Sequence, residues 1–259
     1  MTMTNRRTIC DRTQLDNRML TEHELIRYKR QMEISFWDRS CQEKLKNSSV
    51  FVAGAGGLGS PVLYYLAAAG VGSINVCDHD TVDLSNLNRQ ILYDSDDIGN
   101  IKSETVSKKI SMLNNNISVK HINSKAGWDT LDEIKSCNII VDCLDNFESR
   151  HILNEISVQN NIPMVHGAVA EYYGQISFLQ PGETPCLACF ISQDLKVEPK
   201  GIVGAMAGIV GSMQAMEAIK FITGTGDLLK NKLMYIDARS MNISAITIHK
   251  NQKCKICSK

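Results

Sequence analysis

Three charged side chains at separate points of the chain have the chemistry needed to bind a phosphate group and its metal ion. Arg89 lies in a polar stretch, residues 79–90, and a guanidinium group matches phosphate oxygens in a bidentate manner. Lys102 directly precedes a predicted helix and could approach the same anion, although a lone lysine there is more often a surface residue. Asp145 follows the predicted strand 138–143 and could either bind Mg²⁺ or cap the next helix.

A glycine-rich segment could supply backbone N–H groups to the same anion. Residues 50–53 are apolar and rich in β-forming types, so they predict a short buried strand that leads into the glycines. Ser60 is predicted to be the N-cap, and Pro61 the first residue, of a helix that ends at Gly70. The glycines that permit the turn are Gly54, Gly56, Gly57 and Gly59. A strand, loop and helix N-terminus in this order form a phosphate site, because free N–H groups and the positive end of the helix dipole face the ligand.

An acidic residue follows the next predicted strand at the spacing found in nucleotide-binding βαβ units. Residues 73–77 predict this strand, and Asp78 comes about 20 residues after the glycines, where such a unit places a carboxylate on a ribose hydroxyl. The alternative is a glycine-rich turn that binds no ligand. We interpret the segment as a nucleotide site, and the motif alone does not distinguish NAD, FAD and ATP.

Two Cys-x-x-Cys pairs have the residue type and spacing of a metal centre. The first pair is Cys186 and Cys189, and the second, Cys254 and Cys257, lies almost at the C-terminus. Four thiolates form a complete tetrahedral set with no open position, which favours structural zinc over catalytic zinc. The pairs are too far apart in sequence for a compact zinc ribbon, so the fold would have to bring them together and hold the C-terminal tail. Two separate redox pairs and four free thiols are the alternatives.

The overall composition argues against several classes of protein. The 259 residues contain 28 basic and 28 acidic side chains and no basic run, so the sequence does not indicate a general nucleic-acid binder. The N-terminus is polar, without the apolar core of a signal peptide, and the longest uncharged apolar run, residues 201–216, is short for a membrane span. We therefore expect a cytoplasmic protein that binds neither nucleic acid nor membrane and whose cysteines are thiols or metal ligands.

The predicted elements describe one α/β domain that positions these residues. Residues 1–20 are polar and predicted to be a flexible extension, and Thr21 is predicted to cap the first helix. Residues 21–259 are predicted to form a single domain. Its βαβ units, over about residues 47–167, predict a Rossmann-like, mostly parallel twisted sheet with helices on both faces. About residues 168–259 add antiparallel strands and the C-terminal four-cysteine zinc site.

Taken together and in chain order, the sequence motifs resemble those of the ThiF/MoeB/HesA family, relatives of the adenylation domain of ubiquitin-activating enzymes. Within this family, they most resemble the MoeB/ThiF sulfur-carrier activators. The resemblance covers about residues 20–257. Its motifs are Arg27-Tyr28-x-Arg30-Gln31, Gly54-x-Gly56-Gly57-x-Gly59, Asp78-x-Asp80-Thr81-Val82, Ser85-Asn86-Leu87-x-Arg89-Gln90, Lys102, Asp142-Cys143-x-Asp145-Asn146-x-x-x-Arg150 and the paired Cys-x-x-Cys. Each motif is weak alone, whereas the ordered set is specific.

The resemblance implies adenylation chemistry. Members of this family bind ATP and Mg²⁺ and activate the C-terminal glycine carboxylate of a small ubiquitin-like carrier protein that ends in Gly-Gly. In sulfur-carrier systems of the MoaD/ThiS type, the products are pyrophosphate and an acyl adenylate, which precedes a thiocarboxylate in molybdopterin or thiamin type biosynthesis. A sulfur donor protein could then be a further partner.

The resemblance also implies roles for individual residues. The glycine loop would approach the nucleotide phosphates, Asp78 would hold the ribose, and Asp145 would bind magnesium. Arg30 would reach the site of a partner subunit, so the active unit would be a homodimer. The residues that would bind phosphates and stabilise charge on the α-phosphate are Asn86, Arg89 and Lys102. Further nucleotide contacts would come from Gly54, Gly56, Gly57, Gly59, Asp80, Ser85, Gln90 and Asn146, and the catalytic residues would be Arg30, Arg89, Lys102 and Asp145.

Other functions compete with this interpretation. The same chemistry could act on a peptide or another small carboxylate in natural-product biosynthesis. A non-catalytic scaffold subunit is also conceivable, but the retained Arg30, Lys102 and Asp145 argue against it. An NAD-dependent oxidoreductase would fit the glycine motif alone, yet it would not explain Arg89, Lys102 and Asp145 together.

The segment before the long C-terminal helix bears on the fate of the adenylated carrier. Family members that link covalently to their carrier use a cysteine in this loop, and residues 191–200 contain none. Our hypothesis is that this protein stops at the acyl adenylate. The sequence does not identify the carrier, the pathway, the final acceptor or a cysteine that forms a covalent intermediate.

Overall fold

One sheet of eight strands runs through the part of the chain that the computed structural model describes, residues 19–193, 195 and 201–258. In chain order the strands are β1 (Ser49–Ala53), β2 (Ser73–Cys77), β3 (Ser118–Ile122), β4 (Ile139–Asp142), β5 (Met164–Ala170), β6 (Tyr173–Leu179), β7 (Lys232–Asp237) and β8 (Asn242–Thr247). Across the sheet their order is β3-β2-β1-β4-β5-β6-β7-β8. Most of the predicted N-terminal extension, residues 1–18, lies outside the described residues.

The sheet changes from parallel to antiparallel at β5, as the sequence predicts. β1 pairs in parallel with both β2 and β4, and β3 and β5 continue the parallel part on either side. From β5 onwards, neighbouring strands are antiparallel. The carboxyl ends of five parallel strands therefore lie along one edge, which is where open α/β sheets bind ligands.

Helices cover both faces of the sheet. They are α1 (Glu22–Arg27), α2 (Lys29–Met32), α3 (Arg39–Lys46), α4 (Gly59–Ala69), α5 (Lys102–Leu113), α6 (Leu131–Lys135), α7 (Phe147–Asn160) and α8 (Gly204–Thr223). Side chains alternate along β1, so Val50 and Val52 pack with residues of α3, α4 and α8, whereas Phe51 and Ala53 pack with α6 and α7. Among the described residues, no helix combines the length and apolarity that crossing a membrane requires.

The start of α4 differs from the sequence prediction. Gly59, and not Pro61, is its first residue, and Leu58 occupies the N-cap position without a side-chain cap. The predicted cap at Ser60 is wrong because the Ser60 hydroxyl donates back to the carbonyl oxygen of Gly56 at 2.8 Å. The turn is tight enough to start the helix early, since Gly59 lies directly against the backbone of Gly54. The predicted end at Gly70 is confirmed, with a left-handed φ of 90°.

We expect Gly59→Ala to destabilise the fold strongly. A Cβ atom at this position would lie 2.1 Å from the carbonyl oxygen of Gly54, and that atom belongs to backbone held between two strands. We expect a loss of about 2–4 kcal/mol in the free energy of unfolding, measured by urea denaturation.

Gly208→Ala is the matched control, because a Cβ there meets nothing within 4 Å and Gly208 lies inside α8. It should gain up to about 1 kcal/mol from helix propensity. Equal stability of the two variants would contradict the close-packing role of Gly59.

Candidate active site

A cleft of about 1320 Å³ opens at the carboxyl edge of the parallel strands. We call one part of it the charged end, which contains Gly56, Gly57, Asp78, Asp80, Arg89 and Lys102. We call the part lined by β5, β6 and β7 the strand end, which contains Tyr173, Gln175 and Tyr235. Asp145 and Asn146, after β4, line the cleft as well. The fold thus gathers into one crevice the arginine, lysine and aspartate that the sequence places far apart.

The glycine loop leaves two backbone donors free at the charged end. Its first part is held by the fold: Ala55 donates its N–H to Asp78 Oδ2 at 2.8 Å and accepts from the Tyr93 hydroxyl at 2.9 Å. The N–H groups of Gly56 and Gly57 have no acceptor within the described part of the chain. Because they precede the N-terminus of α4, these donors suit an anion.

The first residue of the glycine loop, Gly54, must be glycine because the loop approaches the end of β4 closely. Gly54 has φ of +95°, a left-handed conformation that side chains disfavour. A Cβ there would also lie 2.8 Å from the carbonyl oxygen of Cys143, the residue after β4. The loop and the end of β4 are therefore fixed against each other.

Lys102 is a buried cation rather than a surface lysine. It is the first residue of α5, so this helix begins one residue earlier than expected, and Lys102 is only 5% exposed. Its Nζ lies 3.1 Å from Asp80 Oδ2, and the Asp80 N–H donates to Asp78 Oδ1 at 2.9 Å. Burial raises the pKa of Asp78, while its backbone donors act in the opposite direction. A buried ammonium with one exposed carboxylate partner remains available to a more highly charged anion.

The loop before Arg89 holds this side chain at the rim of the cleft. Arg89 Nη1 donates to the carbonyl oxygen of Ser85 at 2.8 Å and to Asn88 Oδ1 at 3.0 Å. Gln90 lines the cleft too, and its Oε1 is buried without a partner among the described residues. Ser85 and Asn86 are not among the residues that line the cleft; they form a short 3₁₀ turn in which Asn86 accepts a backbone N–H. Asn88, to which the sequence analysis gave no role, also lines the cleft.

Asp145 does not cap α7, so the capping alternative that the sequence left open is wrong. The N-cap is Asn146, whose Oδ1 accepts the N–H of Ser149 at 2.8 Å. Asp145 is exposed in the cleft, where Asn146 Nδ2 donates to its Oδ1 at 3.3 Å. Its carboxylate is therefore accessible to a hard cation such as Mg²⁺.

Arg30 does not reach the cleft of its own chain. In the same motif, Tyr28 is buried and its hydroxyl accepts from Asn114 Nδ2 at 2.8 Å, while Gln31 donates to α3 and α4. These bonds anchor the N-terminal helices. The Arg30 side chain is 94% exposed, and Glu33 is its ion-pair partner at 3.2 Å.

A buried polar network behind the strand end was not predicted from the sequence. Asp142, at the end of β4, is fully buried, and its Oδ2 lies 2.8 Å from His166 Nδ1 on β5. His166 Nε2 lies 3.1 Å from Gln175 Nε2 on β6. Arg150 Nε lies 3.7 Å from Asp142 Oδ1. Asp142 and Arg150 belong to one of the sequence motifs, but no sequence signal linked them to His166. Pairing of β4 with β5 is what joins Asp142 and His166.

The four cysteines of the two Cys-x-x-Cys pairs form one cluster. Their Sγ atoms are 3.6 Å apart for Cys186 and Cys254 and 3.4 Å apart for Cys189 and Cys257. All four lie within 4.8 Å of one another. A zinc ion at about 2.3 Å from each sulfur of a tetrahedron requires edges of about 3.8 Å. The donor set and its spacing fit a zinc ion, and one shared cluster argues against two separate redox pairs.

Comparison with known proteins places the chain among adenylating enzymes. The sequence model of the ThiF family matches residues 28–256. The SAMP-activating enzyme E1 of Haloferax volcanii is 35% identical over 243 residues, which cover 90% of this chain and 89% of that protein. The sulfur carrier protein adenylyltransferase of Thermus thermophilus is 36% identical over 249 residues, which cover 92% of each chain.

A solved structure has the same fold. The crystal structure of Escherichia coli MccB with AMPCPP and MccA superposes with a TM-score of 0.80 at 26% identity. The match covers 96% of this chain and 80% of that one.

Proposed function

This chain belongs to the ThiF family, and on that premise we propose that it uses ATP to adenylate the C-terminal glycine carboxylate of a small ubiquitin-like sulfur-carrier protein. The products are an acyl adenylate and pyrophosphate, ahead of thiocarboxylate formation. The relatives named a SAMP-activating enzyme and a sulfur carrier protein adenylyltransferase, each matched over about nine-tenths of both chains, support this assignment.

The observation that carries the proposal is the collection of positive groups at one end of the cleft. The free N–H groups of Gly56 and Gly57, the buried Lys102 and the rim residue Arg89 converge there. A carboxylate that attacks an α-phosphate must overcome repulsion between two anions, and fixed positive groups lower that barrier. The carboxylate is already ionised at pH 7, so no protein base is required.

We assign the nucleotide contacts accordingly. The loop from Gly54 to Gly59 and the nearby Gln90 would surround the triphosphate, whereas Asn86 does not line the cleft and would need its loop to move. Asp78 would accept a ribose hydroxyl while it continues to hold the loop. Lys102 would leave Asp80 for the phosphates, since a triphosphate carries more charge than one exposed carboxylate. Asp145 would bind Mg²⁺, which neutralises phosphate charge and orients the leaving pyrophosphate.

Exchange of labelled pyrophosphate into ATP tests the function directly. The exchange should require the carrier, and hydride transfer to NAD should be absent. Exchange without any carboxylate partner would overturn the proposal. A peptide such as MccA, present in the MccB crystal, is the alternative substrate. If a peptide supports exchange and candidate carriers ending in Gly-Gly do not, this alternative replaces the carrier.

We predict that Asp145→Ala and Arg89→Ala each reduce exchange by at least about a hundredfold, because each removes charge stabilisation at the reacting phosphates. Circular dichroism should show an unchanged fold, since both side chains are at the cleft surface. The matched controls are Asp132→Ala on α6 and Arg39→Ala on α3, which remove the same residue types at exposed positions outside the cleft. Both controls should show normal exchange. Near-normal exchange in either cleft variant would remove that residue from the site.

We further propose that the active unit is a homodimer in which Arg30 of one subunit completes the site of the other. Its exposure and its absence from the lining of its own cleft support this arrangement. Arg30→Ala and Asp145→Ala proteins should each be inactive as homodimers. Co-expressed and purified through two different tags, their heterodimer contains one intact site and should recover about half of the wild-type exchange. A heterodimer as inactive as its parents would place the function of Arg30 elsewhere.

We propose that the four-cysteine cluster holds one structural zinc ion per chain and clamps the C-terminal segment to the body. Cys257→Ser should lose most of the zinc measured by mass spectrometry and unfold about 5–10 °C lower. Cys41→Ala, which removes a thiol on α3 outside the cluster, should retain the metal. A metal-free preparation with an unchanged unfolding temperature would contradict the structural role.

The fate of the acyl adenylate remains a proposal built on sequence. Residues 191–200 contain no cysteine, and 194 and 196–200 lie outside the described residues. We propose that the protein releases or hands on the adenylate, and that a sulfur donor protein completes the reaction. A thioester or persulfide-linked conjugate on any cysteine of this chain, found by intact-mass spectrometry, would refute this proposal.

A further inference from the structure

The buried network behind the strand end has a fixed hydrogen-bond direction. Asp142 accepts the N–H of Leu144 through Oδ1 at 3.2 Å and contacts His166 Nδ1 through Oδ2. The guanidinium group of Arg150 already balances its charge at 3.7 Å. An ionised carboxylate only accepts, so His166 Nδ1 must carry the proton that it donates. Burial lowers the pKa of His166, which agrees with a neutral ring.

This tautomer sets the orientation of Gln175. A neutral imidazole with a proton on Nδ1 has a lone pair on Nε2, so this atom can only accept. The neighbouring Gln175 atom at 3.1 Å must therefore be the amide nitrogen, which donates to it. The carbonyl oxygen of Gln175 then faces away from His166 and has no partner among the described residues, and Gln175 is one of the residues that line the cleft.

Packing is close on the side of the network formed by β4 and β5. Gln214 on α8 donates to the carbonyl oxygen of Asp142 at 2.6 Å and lies against Gly167, where a Cβ would be 2.3 Å from its Cδ. β4, β5 and α8 are thus locked together at this point. β6 pairs with β5 beside this point, with Ala168 opposite Gln175, so the backbone that carries Gln175 is held in place.

We infer that the Gln175 carbonyl oxygen accepts a backbone N–H of the extended C-terminal tail of the substrate, and that His166 is the positioning residue that holds it in this orientation. This inference deepens the proposed function by naming a contact for the tail. A glycine tail has no side chains to recognise, so its backbone donors are its main specific feature. A carbonyl dipole also repels phosphate oxygens, which directs the triphosphate to the charged end.

Binding of short synthetic peptides ending in Gly-Gly tests the contact without turnover. Calorimetry should show that Gln175→Leu weakens peptide binding about 3- to 10-fold and leaves the dissociation constant of ATP unchanged. His166→Asn keeps a donor for Asp142, but the shorter side chain does not reach Gln175. It should therefore weaken peptide binding by a smaller factor than Gln175→Leu does. Gln180→Leu, just beyond the end of β6, is the matched control and should bind normally.

A double-mutant cycle then identifies the bond. Peptides with an N-methyl group on the last or the penultimate glycine lack one N–H each. One of them should lose affinity for the wild type and show no further loss with Gln175→Leu. The contact would be overturned if the losses of affinity were additive for both N-methyl peptides. It would also be overturned if Gln175→Leu weakened ATP binding as much as peptide binding, or if the wild type failed to bind Gly-Gly peptides.

Nitrogen-15 spectra of the histidine side chains test the positioning role, with His166→Asn to assign the signal. At pH 7.5 we expect His166 to carry a proton on Nδ1 and none on Nε2. An imidazolium ring or the opposite tautomer would overturn the positioning role of His166. These measurements do not depend on adenylation. If Gly-Gly peptides bind as expected and exchange is still absent, the proposed function fails while the tail contact stands.

Discussion

Repulsion between two anions is the constraint on which the rest of the proposed site depends. A carrier carboxylate and an ATP triphosphate must come within bonding distance, and in water their like charges oppose this approach. In the cleft, positive groups lie together at one end before either ligand arrives. Gly56 and Gly57 offer free N–H groups, and Lys102 is held in a buried position by an exposed carboxylate. Preorganised charge of this kind lowers a barrier without reorganisation during the reaction.

The sheet makes this collection of groups possible because it brings distant segments to one edge. β1 lies between β2 and β4, so the glycine loop, Asp78 and Asp145 emerge side by side. Asp78 has a structural role in addition to the one we propose for ribose, because it accepts the N–H of Ala55 and holds the loop. The antiparallel strands extend the cleft away from the charges, and their buried network gives that extension a neutral, fixed acceptor at Gln175.

Local chemistry made the sheet and the glycine loop predictable from sequence, whereas details set by packing were not. Apolar runs followed by glycine or aspartate located β1, β2 and β4 within one or two residues. The cap at Ser60 failed because the tight turn at Gly59 starts the helix before the serine. Sequence could not show whether Asp145 or the adjacent Asn146 caps α7, because both residue types are good N-caps, and Asn146 takes the cap. The pairing of Asp142 with His166 comes from strand register, which no local pattern encodes.

A crystal structure of this protein with ATP, Mg²⁺ and a carrier bound would show directly whether the two anions meet at the charged end. We predict that the triphosphate lies at the charged end, with Arg89 and Lys102 on the α-phosphate, Asp145 on the metal and the tail carboxylate facing the α-phosphorus. A triphosphate bound elsewhere, or with these three side chains turned away from it, would show that the charged end does not have this role.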